Sequence, residues 1–62
     1  MEFDARTLVD LKLYPDASMS GKALVIVPKG ATVHVIGYQG QAAHVQYNRL
    51  TGYMPLGYLA KK

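Results

Sequence analysis

Side chains that could carry out nucleophilic or acid–base chemistry are few in this sequence. Cysteine is absent, and the two serines, Ser18 and Ser20, share one short segment with no histidine near them in the sequence. A serine becomes a useful nucleophile only when a base lies within hydrogen-bonding reach. The sequence therefore contains no recognisable catalytic constellation, and we expect a protein that is not an enzyme.

His34 and His44 are the only candidate metal ligands of their type. They fall in neighbouring predicted strands, where both would face outward at diagonal positions and could contact one ion. A zinc site needs at least a third protein ligand, and no acidic residue is close to either histidine in the sequence. We therefore favour solvated surface positions for both, and we predict no metal and no cofactor.

The charged residues are unevenly distributed. Seven basic and four acidic side chains give a formal net charge of +3, and the acidic ones all lie in the first quarter of the chain. A charge of this size supports solubility and weak attraction to anions. Nucleic-acid grooves interleave basic residues with aromatic ones, and this chain lacks that pattern. The sequence therefore argues against nucleic acid as the main partner.

Membrane and export signals are not visible in the sequence. The longest apolar run, 23–27, is far too short to span a bilayer. Glu2 and Asp4 stand where a signal peptide would carry basic residues. We therefore expect no membrane partner, and we leave the setting open between the cytoplasm and a domain excised from a secreted cell-wall protein.

Short segments with strand patterns follow one another from the start of the chain. Val9, Leu11 and Leu13 alternate with charged residues, which is typical of a half-buried strand. The run 22–27 is rich in β-branched residues and is ended by Pro28, which predicts a second strand. No segment has a helical period over more than one turn, so the sequence predicts an all-β fold.

The two segments on either side of the glycine-containing stretch 37–41 are predicted to be strands that form a hairpin. Val35 would lie opposite Val45, and Val33 opposite Tyr47. In that register the apolar side chains of both strands face the same side, which favours it over a register shifted by one residue.

The C-terminal segment 52–59 predicts how the fold ends. Pro55 lacks an N–H and stops the strand before it, and 56–58 suits a single 3₁₀ turn that leads into a short last strand. Five short strands with turns between them are typical of a small closed barrel. We assign 8–62 to this barrel, and 1–7 to an N-terminal extension or first strand.

Four segments of the chain form a combined pattern: Leu11-Lys12-Leu13-Tyr14, Pro15-Asp16-Ala17-Ser18, the stretch from Val27 to Val35, and Gly52-Tyr53-Met54-Pro55-Leu56-Gly57-Tyr58-Leu59. The most specific features are the turn Pro28-Lys29-Gly30 and the tyrosine-bearing ending. In these segments the chain resembles the SH3-like barrels, and the bacterial SH3 (SH3b) family most of all.

This resemblance implies a non-enzymatic binding or targeting module. Such a module would recognise a short peptide, a cell-wall peptide of peptidoglycan or a segment of a partner protein. By analogy with the peptide groove of SH3 domains, the ligand would lie against Tyr14, Tyr53, Pro55 and Tyr58. The alternative is that these tyrosines only pack the end of the barrel, with their hydroxyls in water.

Two other functions stay open from the sequence. An oligomeric structural protein would use exposed apolar residues as a subunit interface, and Met19, Ile36 and Leu50 are the natural candidates. A weak nucleic-acid-binding small barrel is the other alternative, recognisable by an affinity that falls steeply with salt.

Overall fold

The computed structural model describes residues 2–62 and contains strands, turns and a single 3₁₀ turn. The strands are β1 (Phe3–Thr7), β2 (Leu11–Leu13), β3 (Val25–Val27), β4 (Thr32–Gln39), β5 (Ala42–Tyr47), β6 (Leu50–Pro55) and β7 (Leu59–Lys61), and the 3₁₀ turn is Leu56–Tyr58. The all-β class is therefore confirmed, and so is the 3₁₀ turn before the last strand. Residues 2–62 include no helix of the length and apolarity that crossing a membrane requires.

The strands form two sheets. The larger one is antiparallel, with the order β6-β5-β4-β1-β7, and the smaller is the β2–β3 ribbon. A single bridge, Tyr14 to Tyr53, connects the ribbon to β6. The end strands β6 and β7 do not pair with each other, so the ladder is open where the sequence predicts a closed ring of five strands. The ring stays open because β2 pairs with β3 in a separate ribbon. After the 3₁₀ turn the chain pairs with β1, as β7, and not with β6.

The N-terminal segment is a strand inside the larger sheet. Ala5 and Thr7 are buried while Asp4 and Arg6 are exposed, which is the alternation of a strand with one face on the core. β1 lies between β4 and β7 in the sheet. Met1 lies outside the described residues. The strand predicted from the alternation of Val9, Leu11 and Leu13 covers only Leu11–Leu13, because the chain bends at Leu8–Val9.

The hairpin of β4 and β5 has the predicted pairing of Val35 with Val45. The ladder begins at the pair His34–Gln46, one step short of the predicted pair of Val33 with Tyr47. A bulge at Ile36 shifts the register beyond Val35. The hairpin also turns later than predicted, because β4 runs on to Gln39.

Both sheets contribute to one core. The largest fully buried side chains are Leu13 and Val27 from the ribbon, and Thr7, Val33, Val35, Val45 and Met54 from the larger sheet. Leu59 at the start of β7 is partly buried against this cluster. Burial of aliphatic side chains from both sheets therefore holds the ribbon on the larger sheet.

Thr7 holds the turn that follows β3. Its hydroxyl donates to the carbonyl oxygen of Pro28 at 2.7 Å and accepts from the amide of Ala31 at 3.1 Å. The backbone of Thr7 adds two more bonds, donating to Ala31 and accepting from Gly30, at 3.0 and 2.9 Å. The amide of Lys29 in the same turn donates to the Asp10 carboxylate at 2.8 Å.

Candidate functional site

Two of the predicted ligand-binding tyrosines are direct neighbours. The amide of Tyr14 donates to the carbonyl of Tyr53 at 2.8 Å, and the amide of Tyr53 donates back at 2.7 Å. Residues paired in this way project their side chains to the same face. Both tyrosines are half-buried, so each ring offers part of its surface to the solvent.

His44 extends this aromatic group across the sheet. It pairs with Tyr53 in the β5–β6 ladder, and the two rings stack with their centroids 4.5 Å apart and their planes 11° from parallel. Such stacking is a favourable arrangement for aromatic rings. The sequence does not predict this partnership, because it depends on the length of the turn between β5 and β6. The turn is only Asn48–Arg49, and Asn48 takes the positive φ (55°) that so tight a turn requires.

Pro55 continues the same face of the sheet. It lies two residues beyond Tyr53 on β6, where side chains point to the same side, and it pairs with Ala42. The amide of Leu56 donates to the carbonyl of Gln41 at 2.9 Å, which fixes the start of the 3₁₀ turn against the β4–β5 hairpin.

Tyr58 lies at the end of the 3₁₀ turn. Its carbonyl accepts from the amide of Leu8 at 2.9 Å, while 52% of the residue is exposed. Because the backbone of Tyr58 is already fixed and its ring is exposed, a ligand that binds the ring would have little further conformational entropy to remove. We call Tyr14, His44, Tyr53, Pro55 and Tyr58 the tyrosine surface.

His34 is held by two carboxylates. Its Nδ1 lies 2.8 Å from Oδ1 of Asp4, and its Nε2 lies 2.9 Å from Oε1 of Glu2. The hydrogen bond to Asp4, and then the bond to Glu2, raise the pKa of the His34 imidazole against the opposing effect of desolvation. The sequence shows no acid near His34, because the pairing of β1 with β4 that joins Asp4 to His34 spans thirty residues.

The remaining candidates for chemistry lie apart from the tyrosine surface. The hydroxyl of Ser18 donates to Asp16 at 2.6 Å and lies 2.9 Å from the hydroxyl of Ser20, within one loop. Within residues 2–62, no group of three or more histidine or acidic side chains is arranged to hold a metal ion. No pocket is enclosed by the part of the chain that the structure describes.

The residues proposed for a subunit interface differ in exposure. Met19 and Ile36 are half-buried, and Leu50 is 38% exposed. Larger exposed apolar surface lies elsewhere, at Leu24 and Ile26 beside and within β3, which are 47% and 59% exposed.

Comparisons of this chain with family models, with curated proteins and with solved structures find no match.

Proposed function

We propose that this chain is a non-enzymatic binding module with a partly open SH3-like barrel, and that it holds a short extended peptide on the tyrosine surface. The peptide would come from the cell wall or from a segment of a partner protein. The observation that carries the proposal is the backbone pair of Tyr14 and Tyr53, which joins the two sheets at an aromatic face.

The composition of that face supports peptide recognition. Tyrosine rings give a large contact area at low conformational cost, and they dominate many recognition surfaces. Pro55 adds a rigid apolar edge beside them, and extended proline-rich segments dock on such aromatic-lined surfaces. The stacked ring of His44 keeps Tyr53 in one orientation, so the surface is ordered before a ligand arrives.

The groups that could serve an enzyme are already engaged with one another. Both ring nitrogens of His34 lie against carboxylate oxygens, and Ser18 is hydrogen-bonded to Asp16. A serine nucleophile needs a neighbouring base that can take its proton. These contacts support a module that binds without chemistry.

Chemical-shift mapping tests the proposal. Isotope-labelled protein is titrated with a proline-rich peptide and, separately, with a peptidoglycan stem-peptide fragment. We expect one of these to shift the amides of Tyr14, Tyr53 and Tyr58. Truncation by Tyr58→Ala should then weaken that ligand by about tenfold, which is typical of removing an exposed aromatic anchor.

Tyr38→Ala provides the matched control. Tyr38 is exposed to nearly the same extent, 53%, and it lies near Phe3, with ring centroids 6.3 Å apart, outside the tyrosine surface. Its truncation should leave the affinity unchanged. Shifts confined to the opposite face would contradict the proposal, as would equal losses from both tyrosine variants. Concentration-dependent self-association through Leu50 would favour the structural protein instead.

A further inference from the structure

The β2–β3 ribbon has an edge with unpaired backbone groups. Tyr14 directs its backbone to Tyr53 on β6, and backbone groups alternate in direction along an antiparallel strand. The backbone of Leu13 therefore faces β3, in agreement with the bond that its carbonyl accepts from Leu24 at 2.7 Å. Leu13 pairs with Val25 across the ladder, so the backbone of Val25 faces β2. The amide and carbonyl of the next residue, Ile26, therefore point away from β2.

Within residues 2–62, no second strand pairs with this edge. Only β2 pairs with β3, and no backbone bond outside that ladder involves Val25, Ile26 or Val27 among residues 2–62. Proteins normally protect open edges with charged side chains. The open strand β7 follows that rule, since it ends in Lys61 and is followed by Lys62.

The β3 edge instead carries apolar side chains. Ile26 is 59% exposed, and Leu24, two residues before it, is 47% exposed. We call the segment Leu24–Val27 the ribbon edge. Exposed apolar residues beside free backbone groups are the two features that a strand-adding partner uses, because the backbone supplies the hydrogen bonds and the side chains supply the specificity.

The charge around the ribbon edge is basic. The exposed residues Lys22 and Lys29 precede and follow β3, and Lys12 pairs with Ile26 from β2. The acidic residue of this region, Asp10, already accepts a hydrogen bond from the amide of Lys29. A partner with complementary charge would therefore carry negative side chains at both ends of the strand that it adds beside β3.

We propose that the ribbon edge binds an extended segment of a partner protein, with an apolar centre and acidic flanks, as an added strand beside β3. A second copy of this chain is a poorer occupant, because it would bring the same lysines together. A lipid surface is also poorer, because unpaired backbone groups are costly in hydrocarbon. The proposal is argued from the ribbon edge alone and does not depend on the function proposed for the tyrosine surface.

A synthetic peptide of this pattern tests the proposal. Labelled protein is titrated with acetyl-Glu-Glu-Val-Thr-Val-Glu-Glu-amide. We expect shifts in the amides of Leu24, Ile26 and Val27, slowed hydrogen exchange at Ile26, and no shift at Tyr53. A peptide with lysine in place of each glutamate should bind about tenfold more weakly, because each flanking ion pair becomes a repulsion.

Two changes separate strand addition from simple contact. Methylation of the central peptide nitrogen removes a hydrogen-bond donor of the added strand and places a methyl group between the two strands. It should therefore prevent strand addition, and with it the slowed exchange at Ile26. The variant Ile26→Glu places a negative charge against the acidic peptide and should abolish binding, whereas Leu50→Glu, an exposed apolar position at the start of β6, should leave binding intact.

Four outcomes would overturn the proposal. They are the absence of shifts at millimolar peptide, equal binding of the methylated peptide, shifts confined to the tyrosine surface, and equal binding of the lysine peptide. Self-association that Ile26→Glu removes would assign the ribbon edge to a second copy. Binding of phosphatidylserine vesicles through Ile26 would assign it to a membrane.

Discussion

Thr7 shows how much one side chain can do in a chain of this size. It is the buried polar residue of the described chain, 1% exposed, and its hydroxyl serves both as donor and as acceptor to the turn after β3. A buried hydroxyl that makes both of its hydrogen bonds lowers the free energy of unfolding little. Removing the hydroxyl leaves its two buried partners without a hydrogen bond, and this destabilises the fold.

The substitution Thr7→Val keeps the shape of the side chain but removes both hydrogen bonds of its hydroxyl to the turn. It should therefore destabilise the fold by about 1–3 kcal/mol. Urea unfolding at constant pH measures the change. Thr51→Val is the matched control, since Thr51 is exposed on β6 and should change the free energy of unfolding by less than about 0.5 kcal/mol. Equal effects from both variants would show that the hydroxyl of Thr7 has no special role.

His34 makes stability depend on pH. Its pKa in the folded state is raised from 6.5, chiefly by the hydrogen bond to Asp4 and then by that to Glu2. A group with a raised pKa contributes its full stabilisation below the unfolded value and loses it as the pH rises through the folded value. We therefore expect this contribution to be complete below about pH 6.5 and to disappear at higher pH.

An NMR titration of the His34 ring measures this directly. Asp4→Asn should lower the pKa of His34 more than Glu2→Gln does, since the bond to Asp4 is the larger cause. His34→Gln should remove the corresponding part of the pH dependence of unfolding, which appears as the pH rises above about 6.5. A His34 pKa that stays the same in both carboxylate variants would contradict the assignment.

At the scale of the elements, Gly52 is where the ribbon crosses β6. A Cβ at this position would lie 2.5 Å from the carbonyl oxygen of Tyr14 and 3.0 Å from Cγ of Leu13. Because the closest atom belongs to the backbone, the strand would have to move. Gly52→Ala should therefore destabilise the fold by about 1–3 kcal/mol and disturb the Tyr14–Tyr53 pair, as seen in amide shifts.

Gly57→Ala is the control for that prediction. A Cβ at Gly57 meets nothing within 4 Å, so the free energy of unfolding should change by less than about 0.5 kcal/mol. If Gly52→Ala were as mild as Gly57→Ala, the close crossing of β2 over β6 would be wrong.

The elements differ in how far the sequence predicts them. The pairing of Val35 with Val45 follows from local alternation across a short hairpin, and Pro55 marks the end of β6 by its own chemistry. The place of β1 between β4 and β7 does not follow, because that register is set by long-range packing. The contact of His34 with Asp4 was missed for the same reason.

The tyrosine surface shows the same division. Pro55 and Tyr58 lie three residues apart on successive elements, so their order along the chain end follows from the sequence. Stacking of His44 on Tyr53 depends on the length of the turn Asn48–Arg49. One residue more in that turn would have moved His44 to the other side of the sheet relative to Tyr53.

For the molecule as a whole, the open ladder decides which surfaces are available. A closed barrel removes its strand edges, whereas here β3 and β7 each keep one side unpaired. The two edges differ in chemistry, lysine-bearing at β7 and aliphatic at β3. The molecule therefore has two candidate binding regions, the tyrosine surface and the ribbon edge.

The hydrogen bond from the amide of Lys62 to the carbonyl of Asp4, 3.0 Å long, brings the first and last strands side by side. A peptide linker of a few residues would be long enough to tie them into a circle. The same proximity means that a host protein could receive this fold within a surface loop, with entry and exit points only about one strand spacing apart.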